Sequence, residues 1–371
     1  MTGLSLLTYN LLAPCYYRCA GRQRESSDAA RFLARWSRCI AAVRVADVMA
    51  FQEVWFAEPR CIAIIRAAFP DHTLHMLRRP RGKEDGVAVL VRSSIAVTHR
   101  GEFCFQAGGR RVALALALRI GGRSIVVCTT HLTFPHREFD AAMRLRQAAL
   151  LVELLDRFEL YVHAGDAAAA AEQHGITAGE ALDRAGREFS FIYRYILRES
   201  CSQFDSLPLT YLTISAALDR AGVAREAATG LDARGATLAC ERVGAPPAAP
   251  AARASTILCG DMNGDMNDSA LRLLAAHGGF ASAFRAANGC ASGATHASHE
   301  EQQVGVDFAL TRCARSGGGG AAVACVKAVV LPSASVSAIA SGRVVIARPP
   351  AEDDGRYESD HLPLRFEFQL C

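Results

Sequence analysis

Six short polar motifs along the chain combine carboxylate, amide and imidazole side chains in a way that suits hydrolysis of a phosphate ester. Each lies at or beside the end of an apolar run of about four to eight residues, which predicts a buried strand that ends at one edge of a sheet. Their convergence at that edge would form one catalytic pocket. The motifs are Asn10, Gln52-Glu53, Thr130-His131-Leu132, Gly260-Asp261-Met262-Asn263, Val306-Asp307-Phe308 and Ser359-Asp360-His361.

Two carboxylates and one amide of this set have the chemistry of magnesium ligands. Hard divalent cations take oxygen atoms from one or two carboxylates and keep their other positions for water and substrate phosphate. Glu53 and Asp360 could supply these carboxylates. The neutral amide of Asn10 could bind metal or a phosphate oxygen without adding a negative charge that repels a phosphodiester.

Hydrolysis also needs groups that deprotonate a water and aim it, and carboxylates and imidazoles are the usual agents. Asp261 and Asn263 are two residues apart, so their side chains would face the same way in an extended loop. One could hold the water while the other donates to the developing oxyanion. His361 needs a carboxylate to fix its tautomer and stabilise its charge, and Asp307 is the candidate for that partner.

In this order the motifs resemble the endonuclease/exonuclease/phosphatase superfamily, over Leu4–Phe158 and Ser255–Gln369. The detail is closest to the branch of carbon-catabolite-repressor-type deadenylases, nocturnin and the Angel proteins. The segments that carry this resemblance are Thr8–Ala13, Lys83–Ala88 and Thr130–Pro135, followed by Arg144 and Gln147. The resemblance implies a bound Mg²⁺, with Mn²⁺ as the alternative, beside Asn10, Glu53 and Asp360. It implies that His131 contacts the scissile phosphate. It also implies that the hydrolysis is carried out by Asp261, Asn263, Asp307 and His361.

The chain departs from the family pattern at two places. Met262 replaces an aromatic residue, a soft apolar change that should alter packing more than chemistry. We also predict a helical insertion at 160–253, which divides a discontinuous catalytic domain formed by 1–159 and 254–371. Part of the insertion, Leu231–Leu238, resembles a degenerate EF-hand loop without the alternating acidic ligands or the final glutamate. We therefore expect a helical cover or a docking surface for a protein partner in place of a calcium site.

The composition is that of a globular chain from a reducing compartment. With 371 residues and 51% apolar content, the chain can form one large domain and a smaller insert, and its net charge of +4 does not by itself indicate nucleic-acid binding. The thirteen cysteines form no Cys-x-x-Cys pair, which argues against a disulfide framework or a zinc site. We expect the cytoplasm, with the nucleus as the alternative. We expect neither a signal peptide before the strand at Leu4 nor a transmembrane segment.

Apolar periodicity predicts an α+β fold, a four-layer α/β/β/α sandwich of two packed mixed β-sheets with outer helices. A doubly wound nucleotide fold fits less well, because no glycine-rich phosphate loop follows the first strand. The predicted helices are Asp28–Arg44, Glu58–Phe69, Arg137–Phe158 and Ser269–His277. The predicted strands are Leu4–Tyr9, Val45–Phe51, Thr73–Leu77, Gly86–Val91, Val112–Ile120, Arg123–Cys128, Thr256–Cys259, Val304–Leu310, Val323–Leu331 and Leu362–Phe368.

These observations favour a magnesium-dependent hydrolase of phosphodiesters that acts at the 3′ end of RNA. Three alternatives stay open: a phosphatase of dinucleotides, a lipid phosphodiesterase of the sphingomyelinase kind, and an inactive scaffold of the same fold. Uncompensated carboxylates are costly to retain, so the full set of polar motifs argues against a scaffold. His296 and His299 precede the predicted Asp307 strand and could either face the substrate or be solvated in a surface loop.

Overall fold

Two β-sheets packed face to face, with helices on both outer sides, form the framework of the computed structural model. It describes residues 2–19, 23–105, 109–174, 229–231, 236–242, 254–289, 295–297, 303–312, 323–330, 336–340, 343–346 and 359–370. The strands are β1 Thr2–Asn10, β2 Val48–Trp55, β3 His72–Arg78, β4 Asp85–Arg92, β5 Ala96–Phe105, β6 Arg111–Ile120, β7 Arg123–His131, β8 Thr229–Leu231, β9 Ala236–Arg242, β10 Ser255–Asp261, β11 Ala281–Ser282, β12 His296–Ala297, β13 Gln303–Val304, β14 Asp307–Arg312, β15 Val323–Val330, β16 Val336–Ala340, β17 Arg343–Ile346 and β18 Leu364–Leu370. The helices are α1 Ala29–Ala41, α2 Pro59–Ala68, α3 Asp140–His174, α4 Ser269–Ala276 and α5 Ala283–Asn288, with a 3₁₀ turn at Glu25–Ser27.

Both large sheets are mixed, and each has a parallel pair near its centre. One sheet has the order β15-β18-β1-β2-β4-β3, and the other has the order β11-β14-β10-β7-β6-β5-β9-β8. The parallel pairs are β1 with β2 and β7 with β10, whereas the other neighbours are antiparallel. Since the carboxyl ends of parallel strands meet at the same edge of a sheet, each central pair delivers two strand ends to one place.

Three apolar layers confirm the predicted four-layer sandwich. The inner layer joins the sheets through residues such as Leu6, Leu116 and Phe366. A second layer packs α3 and α4 on the eight-stranded sheet, and a third packs α1 and α2 on the six-stranded sheet. Because these large buried surfaces are removed from water on folding, they supply the main driving force for the fold.

Helix α1 forms because its apolar residues recur at helical spacing and its start is capped. Phe32, Trp36 and Ile40 lie on its buried face, and the Asp28 side chain accepts a hydrogen bond from the Arg31 amide. The Trp36 indole nitrogen donates to the Cys61 carbonyl oxygen over 3.2 Å, which satisfies its polar atom within the core.

A buried ion pair connects α1 to the segment that follows β1. The Arg35 guanidinium lies 2.8 Å from the Glu25 carboxylate, and both residues are 1% exposed. Arg35 also donates to the Leu11 and Leu12 carbonyl oxygens over 3.0 and 2.6 Å. Because these carbonyls come directly after Asn10, Arg35 fixes the backbone next to that predicted site residue.

Replacing Arg35 by Met should lower the free energy of unfolding by about 3–5 kcal/mol, because it leaves the buried Glu25 charge without its partner. Urea denaturation with Arg38→Met as control measures this change, since Arg38 lies on the same helix and pairs with no buried carboxylate among the described residues. A loss no larger than that of Arg38→Met would contradict the structural role of the pair.

The range predicted as a helical insertion contains strands in its described part. Helix α3 continues to His174, beyond the predicted end at Phe158, and β8 and β9 follow. Strand β9 pairs antiparallel with β5 and thus extends the eight-stranded sheet. Of the two helices predicted in the insertion, Ala164–Glu199 lies outside the described residues beyond His174, and Thr210–Ala224 lies outside them entirely, as do residues 232–235 of the EF-hand-like loop.

None of the helices in the described part of the chain has both the length and the apolar character needed to cross a bilayer.

Candidate active site

The register of the eight-stranded sheet brings three of the predicted site residues side by side. Asp261 at the end of β10 pairs with His131 at the end of the parallel strand β7. On its other side Asp261 pairs with Asp307, the first residue of the antiparallel strand β14. The preceding Gly260 has a φ of +132°, and a Cβ there would lie 2.0 Å from the Thr130 carbonyl oxygen. A side chain at Gly260 would therefore displace the backbone that carries Asp261.

The six-stranded sheet supplies Asn10 and Glu53 from its own parallel pair. Asn10 ends β1 and pairs with Gln52 of β2, where the register with β4 then shifts between Gln52 and Val54. Glu53 lies at this irregularity with a φ of +56°, a left-handed conformation that costs a non-glycine residue about 1 kcal/mol. Its Oε2 accepts a 2.7 Å hydrogen bond from the Ala13 amide. The bulge thus turns a carboxylate out of the ladder and towards the pocket.

Contacts of Asn10 join the two sheets at the pocket. Its Nδ2 donates to Asp261 Oδ2 over 2.9 Å and lies 3.3 Å from Glu53 Oε1. The Asn10 Oδ1 accepts a hydrogen bond from the Leu12 amide over 3.0 Å, which fixes the orientation of the carboxamide. A nearby bond from Gln52 Nε2 to Thr129 Oγ1, 2.9 Å long, also spans the sheets. The two sheet edges are therefore held together by directed polar contacts at the catalytic end.

His361 forms a close dyad with Asp307. The His361 Nδ1 lies 2.9 Å from Asp307 Oδ2, while its Nε2 lies 3.6 Å from Asp261 Oδ2. Burial by itself would lower the pKa of His361, but the charges of Asp307, Asp261 and Asp360 raise that pKa well above its ordinary value. This shift favours the imidazolium form of His361, in which both ring nitrogens carry a hydrogen and Nδ1 donates to Asp307.

His131 has the opposite electrostatic character. Its Nδ1 lies 3.7 Å from Glu53 Oε1 and its Nε2 lies 3.5 Å from Asp261 Oδ2. Burial, followed by the charges of Arg111 and Arg79, lowers the pKa of His131 well below its ordinary value. A neutral and a charged imidazole consequently flank the same Asp261 carboxylate.

Two buried carboxyl groups titrate near neutrality. Burial raises the pKa of Asp261 to about 6, with the charge of His361 opposing the shift. Burial raises the pKa of Glu53 to about 7; the Ala13 amide bond opposes this shift, whereas the charges of Asp85 and Asp360 add to it. A carboxyl with a pKa close to working pH can accept a proton and return it, which suits Asp261 to general base chemistry.

Asn263 follows Asp261 in a tight turn, which differs from the extended loop expected from the sequence. Its φ is +51°, and its amide donates to Asp261 Oδ1 over 2.9 Å. The Asn263 Nδ2 donates to the Leu132 carbonyl oxygen over 2.9 Å. The turn fixes the Asp261 carboxylate and joins the ends of β10 and β7. Asn and Asp favour such turns, because their side chains bond the backbone two residues away and tolerate a left-handed conformation. The spacing of Asp261 and Asn263 alone does not predict it.

Residues of α3 support the loop after His131. Gln147 accepts a hydrogen bond from the Thr133 amide over 3.0 Å and donates to Thr133 Oγ1 over 2.7 Å. Arg144 donates to the Thr133 carbonyl oxygen and pairs with Asp268 at 2.6 Å. These two motif residues therefore position the loop that follows His131.

Asp360 is the most accessible of the predicted site residues, with 26% of its side chain exposed. Its Oδ1 lies 3.7 Å from His361 Nε2 and makes no hydrogen bond within the described part of the chain. Ser359 donates to the Asn10 carbonyl oxygen and accepts from the His361 amide, which anchors this loop to the end of β1. Asp360 thus offers a carboxylate oxygen that a ligand can use.

The donor set fits a hard divalent cation. Glu53 and Asp360 are carboxylates close enough for the charge of Asp360 to raise the pKa of Glu53. Asn10 donates to Glu53 through Nδ2, and its Oδ1, the atom that could bind a cation, accepts the Leu12 amide. Oxygen donors with uncompensated negative charge are what Mg²⁺ and Mn²⁺ prefer. Two clusters of three side chains also have ligand atoms within 4.8 Å of one another. One cluster is Asp261, Asp307 and His361, and the other is His296, Asp360 and His361.

His296 belongs to the site, although the sequence was equally compatible with a position in a solvated surface loop. It is 6% exposed, and its ring packs against His361 with 4.4 Å between centroids. The neighbouring Thr295 accepts the amides of Val306 and Asp307 on its hydroxyl, and its carbonyl accepts the Leu362 amide. No periodic pattern in the sequence predicts this pairing, because it joins segments far apart in the chain. His299 lies outside the described residues.

The chain as a whole matches a known family. Residues 7–361 match the Endonuclease/Exonuclease/phosphatase family, and this range includes every predicted site residue. The chain belongs to the endonuclease/exonuclease/phosphatase family. Membership, together with the Asp261, His361 and Asp307 cluster, identifies it as a phosphoester hydrolase, as the sequence predicted.

Solved structures share the fold at low sequence identity. A zebrafish (D. rerio) TDP2 humanized by 14 mutations is 13% identical and has a TM-score of 0.52, with 99% of each chain covered. The human Nocturnin catalytic domain with bound sulfate is 12% identical and has a TM-score of 0.50, covering all of this chain and 95% of the other. At these identities the likeness concerns the fold, and it agrees with the family assignment.

One curated relative covers a smaller part of the chain. An uncharacterized calcium-binding protein of Arabidopsis thaliana is 25% identical over an alignment of 177 residues, and the match covers 43% of this chain and 37% of that protein. The match thus spans little more than a third of the relative's length.

Metal binding should weaken as pH falls below about 7, because a cation competes with the proton on Glu53. For one displaced proton, we expect the apparent Mg²⁺ or Mn²⁺ affinity to fall about tenfold per pH unit below that value and to level off above it. Isothermal titration calorimetry between pH 5.5 and 8.5, values chosen to bracket about 7, measures this dependence.

Glu53→Gln should weaken the binding and remove most of this pH dependence. Glu58→Gln is the matched control, since Glu58 caps α2 with a side chain that binds Arg60 outside the cluster. Metal affinity that stays constant across the pH range in the wild type would exclude Glu53 as a ligand.

Proposed function

We propose that the chain is a metal-dependent phosphodiesterase that removes nucleotides from the 3′ end of RNA. The observation that carries the hydrolytic part is the convergence of Asn10, His361 and His131 on the single carboxylate Asp261. The RNA preference rests on the motifs Thr8–Ala13, Lys83–Ala88 and Thr130–Pro135, which resemble the deadenylase and nocturnin branch. We infer from this resemblance that the substrate is a phosphodiester.

In this proposal Asp261 accepts the proton of the attacking water. Its Oδ2 receives the Asn10 amide and its Oδ1 receives the Asn263 amide, so the carboxylate is held in one orientation. A base whose pKa is about 6 is mostly deprotonated at neutral pH and still basic enough to take a proton. Asn10 and Asn263 thus position the base, and Asp261 performs the proton transfer.

His361 provides positive charge where the transition state develops negative charge. Asp307 holds its Nδ1, which leaves the Nε2 hydrogen for a phosphoryl oxygen. His131 is neutral, so one ring nitrogen can donate to the phosphate without competing for the Asp261 charge. When bound by Glu53, Asp360 and Asn10, a divalent cation, Mg²⁺ in our proposal, would neutralise charge on the phosphate.

The test is hydrolysis of a panel of substrates by the wild type, Asp261→Asn and Asp265→Asn in the presence of Mg²⁺. The panel comprises 5′-labelled oligoadenylate, the same oligonucleotide with a 3′ phosphate, single-stranded DNA, NADPH and sphingomyelin. Stepwise shortening of the unblocked RNA, lost only in Asp261→Asn, would support the proposal. Asp265 is the matched control because it is an exposed aspartate of the same loop.

Other outcomes separate the alternatives. Phosphate release from NADPH without RNA shortening would indicate a dinucleotide phosphatase, and choline phosphate release would indicate a lipid phosphodiesterase. A folded wild type that binds no metal and cleaves nothing would favour an inactive scaffold.

We also propose the division into a catalytic domain of 1–159 and 254–371 and an insertion at 160–253 that docks a protein partner. The Arabidopsis relative is named a calcium-binding protein, so calcium titration of the full chain is the direct test of the EF-hand resemblance. If the Glu53→Gln variant still binds calcium in this titration, calcium binds at a site other than the catalytic cluster. Binding that disappears would leave the insertion as a docking surface alone.

We place the protein in the cytoplasm, with the nucleus as the alternative. The eight cysteines whose side chains the structure describes are free thiols, and burial raises the pKa of several of them, including Cys15 and Cys259 to about 12. Such thiols resist oxidation and suit a reducing compartment.

A further inference from the structure

Arg111 is a buried cation next to the catalytic cluster, and it has an unpaired donor. It is the first residue of β6 and is 8% exposed, and its Nη1 atom has no hydrogen-bond partner in the described part of the chain. Buried guanidinium groups are ordinarily paired, because an unpaired buried charge is costly. Four other buried arginines each contact a carboxylate: Arg35, Arg79, Arg144 and Arg312. Among the described residues, Arg111 differs from these four in lacking such a contact.

The backbone before Arg111 is held in an unusual conformation. Arg110 has a φ of +58°, a left-handed geometry that surrounding contacts must maintain in a non-glycine residue. Arg79 supplies those contacts, since its Nε donates to the Arg110 carbonyl over 3.0 Å and its Nη2 donates to the Gly109 carbonyl over 3.1 Å. The turn that delivers Arg111 is therefore fixed by a second arginine.

Arg79 cannot itself serve as a free cation, because its charge is already matched. Its Nη1 lies 2.9 Å from Asp85 Oδ2 and 3.0 Å from the Tyr16 hydroxyl. Asp85 is 2% exposed, so this pair is enclosed. The positive charge left for a ligand in this part of the site belongs to Arg111.

The register of β6 places Arg111 beside the catalytic cluster, because β6 pairs antiparallel with β7, Ala113 lies opposite Thr130, and the Thr130 hydroxyl donates to the Val112 carbonyl oxygen. Its electrostatic neighbours agree with this position. Burial lowers its pKa, the charge of Arg79 adds to the shift, and the charges of Asp85 and Glu53 oppose it. The Arg111 charge also contributes to the lowered pKa of His131. Glu53 accepts hydrogen bonds from the Ala13 amide and from Asn10, and no hydrogen bond joins it to Arg111 in the described part of the chain. The neighbouring carboxylate is thus close enough to act on Arg111 without being bonded to it.

We propose that Arg111 is a substrate-binding residue whose guanidinium hydrogen-bonds an oxygen of the scissile phosphate, on the side of the pocket formed by Glu53 and His131. This inference rests on the proposed function, since it assigns a ligand to the same site. A phosphate oxyanion would give the unpaired Nη1 donor its missing acceptor, and guanidinium binds phosphate through charge-assisted hydrogen bonds. Arg111 and the imidazolium of His361 would then both donate to the phosphate.

The first experiment measures binding without catalysis. Inorganic phosphate should raise the melting temperature of the wild type, because a ligand that binds only the folded state stabilises it. Arg111→Gln should lose most of this rise, Arg111→Lys should retain part of it, and Arg119→Gln should retain all of it. Arg119 is the matched control because it lies near the opposite end of the same strand.

The second experiment uses bis(4-nitrophenyl) phosphate, a minimal diester whose only phosphate is the scissile one. We expect kcat/KM to fall about a hundredfold in Arg111→Gln, the size of effect seen when one donor to a developing oxyanion is removed. Arg119→Gln should match the wild type. A fall confined to oligonucleotides would mean that Arg111 contacts a neighbouring phosphate, and it would overturn the proposal.

Two further results would overturn it independently of the reaction. One is a phosphate-induced rise in melting temperature that is as large in Arg111→Gln as in the wild type. The other is a change in the metal affinity of Arg111→Gln while its phosphate binding stays intact, because Arg111 would then act only as a counter-charge for Glu53. If the wild type hydrolyses no diester, the proposed function fails, whereas the phosphate titration still decides whether Arg111 is an anion-binding residue.

Discussion

Replacing Asp261 by Asn should lower kcat by about 10³- to 10⁴-fold, since the amide cannot accept the proton of the attacking water. The side chain keeps its shape, so the hydrogen bond of Asp261 Oδ1 with the Asn263 amide can be retained. In the wild type, kcat/KM should fall as pH drops below about 6, because protonation of Asp261 removes the base. Steady-state kinetics between pH 5 and 8, chosen to bracket about 6, measure both effects.

The control for this prediction is Asp265→Asn, which removes the same charge from an exposed position of the same loop. Its kcat should match that of the wild type. Thermal unfolding should show that Asp261→Asn is folded, because burial disfavours the charged form of Asp261 and the amide removes that penalty. Retention of more than about a tenth of the wild-type kcat would remove Asp261 from the role of base.

Much of this site was predictable because strand ends carry it. The apolar runs before Asn10, His131 and Asp261 predict buried strands, and the observed registers place Asp261 directly between His131 and Asp307. The α+β sandwich follows from the same pattern of strands and flanking helices. Local periodicity suffices here, because a buried strand has few ways to place the polar residue at its end.

The parts that sequence reasoning missed depend on irregular backbone or on distant pairing. Strand β5 was not predicted because polar residues such as His99, Arg100 and Glu102 interrupt its apolar pattern. The joining of β9 to that strand involves residues more than a hundred positions apart. Local propensity contains no information on such contacts, so tertiary packing decides them.

Residues with left-handed backbone in the site are also beyond what local sequence patterns predict. Glu53, Asn263, Leu12 and Arg110 all have positive φ values and all lie in or beside the catalytic segments. Their conformations are unfavourable locally and persist because neighbouring hydrogen bonds hold them. A sequence rule that assumes regular strands therefore finds the residue types of the pocket and misses the geometry that aims them.

Replacing His361 by Ala should lower kcat about 10³-fold, because it removes the cationic donor that faces the developing charge. Asp307→Asn should have a smaller effect on the same step, since the imidazole remains but its Nδ1 loses the 2.9 Å carboxylate contact. That change also lowers the pKa of His361, because the charge of Asp307 is the largest contribution that raises it. The alkaline limb of the pH–rate profile should therefore move to lower pH in Asp307→Asn.

This shift separates an electrostatic role of Asp307 from a structural one. A residue that merely supported the fold would lower the melting temperature and leave the alkaline limb where it is. His277→Ala is the control for the loss of an imidazole, since His277 lies at the end of α4 and outside the cluster. If His361→Ala and His277→Ala retained equal activity, charge stabilisation by His361 would be excluded and the base Asp261 would have to act without its neighbouring imidazolium.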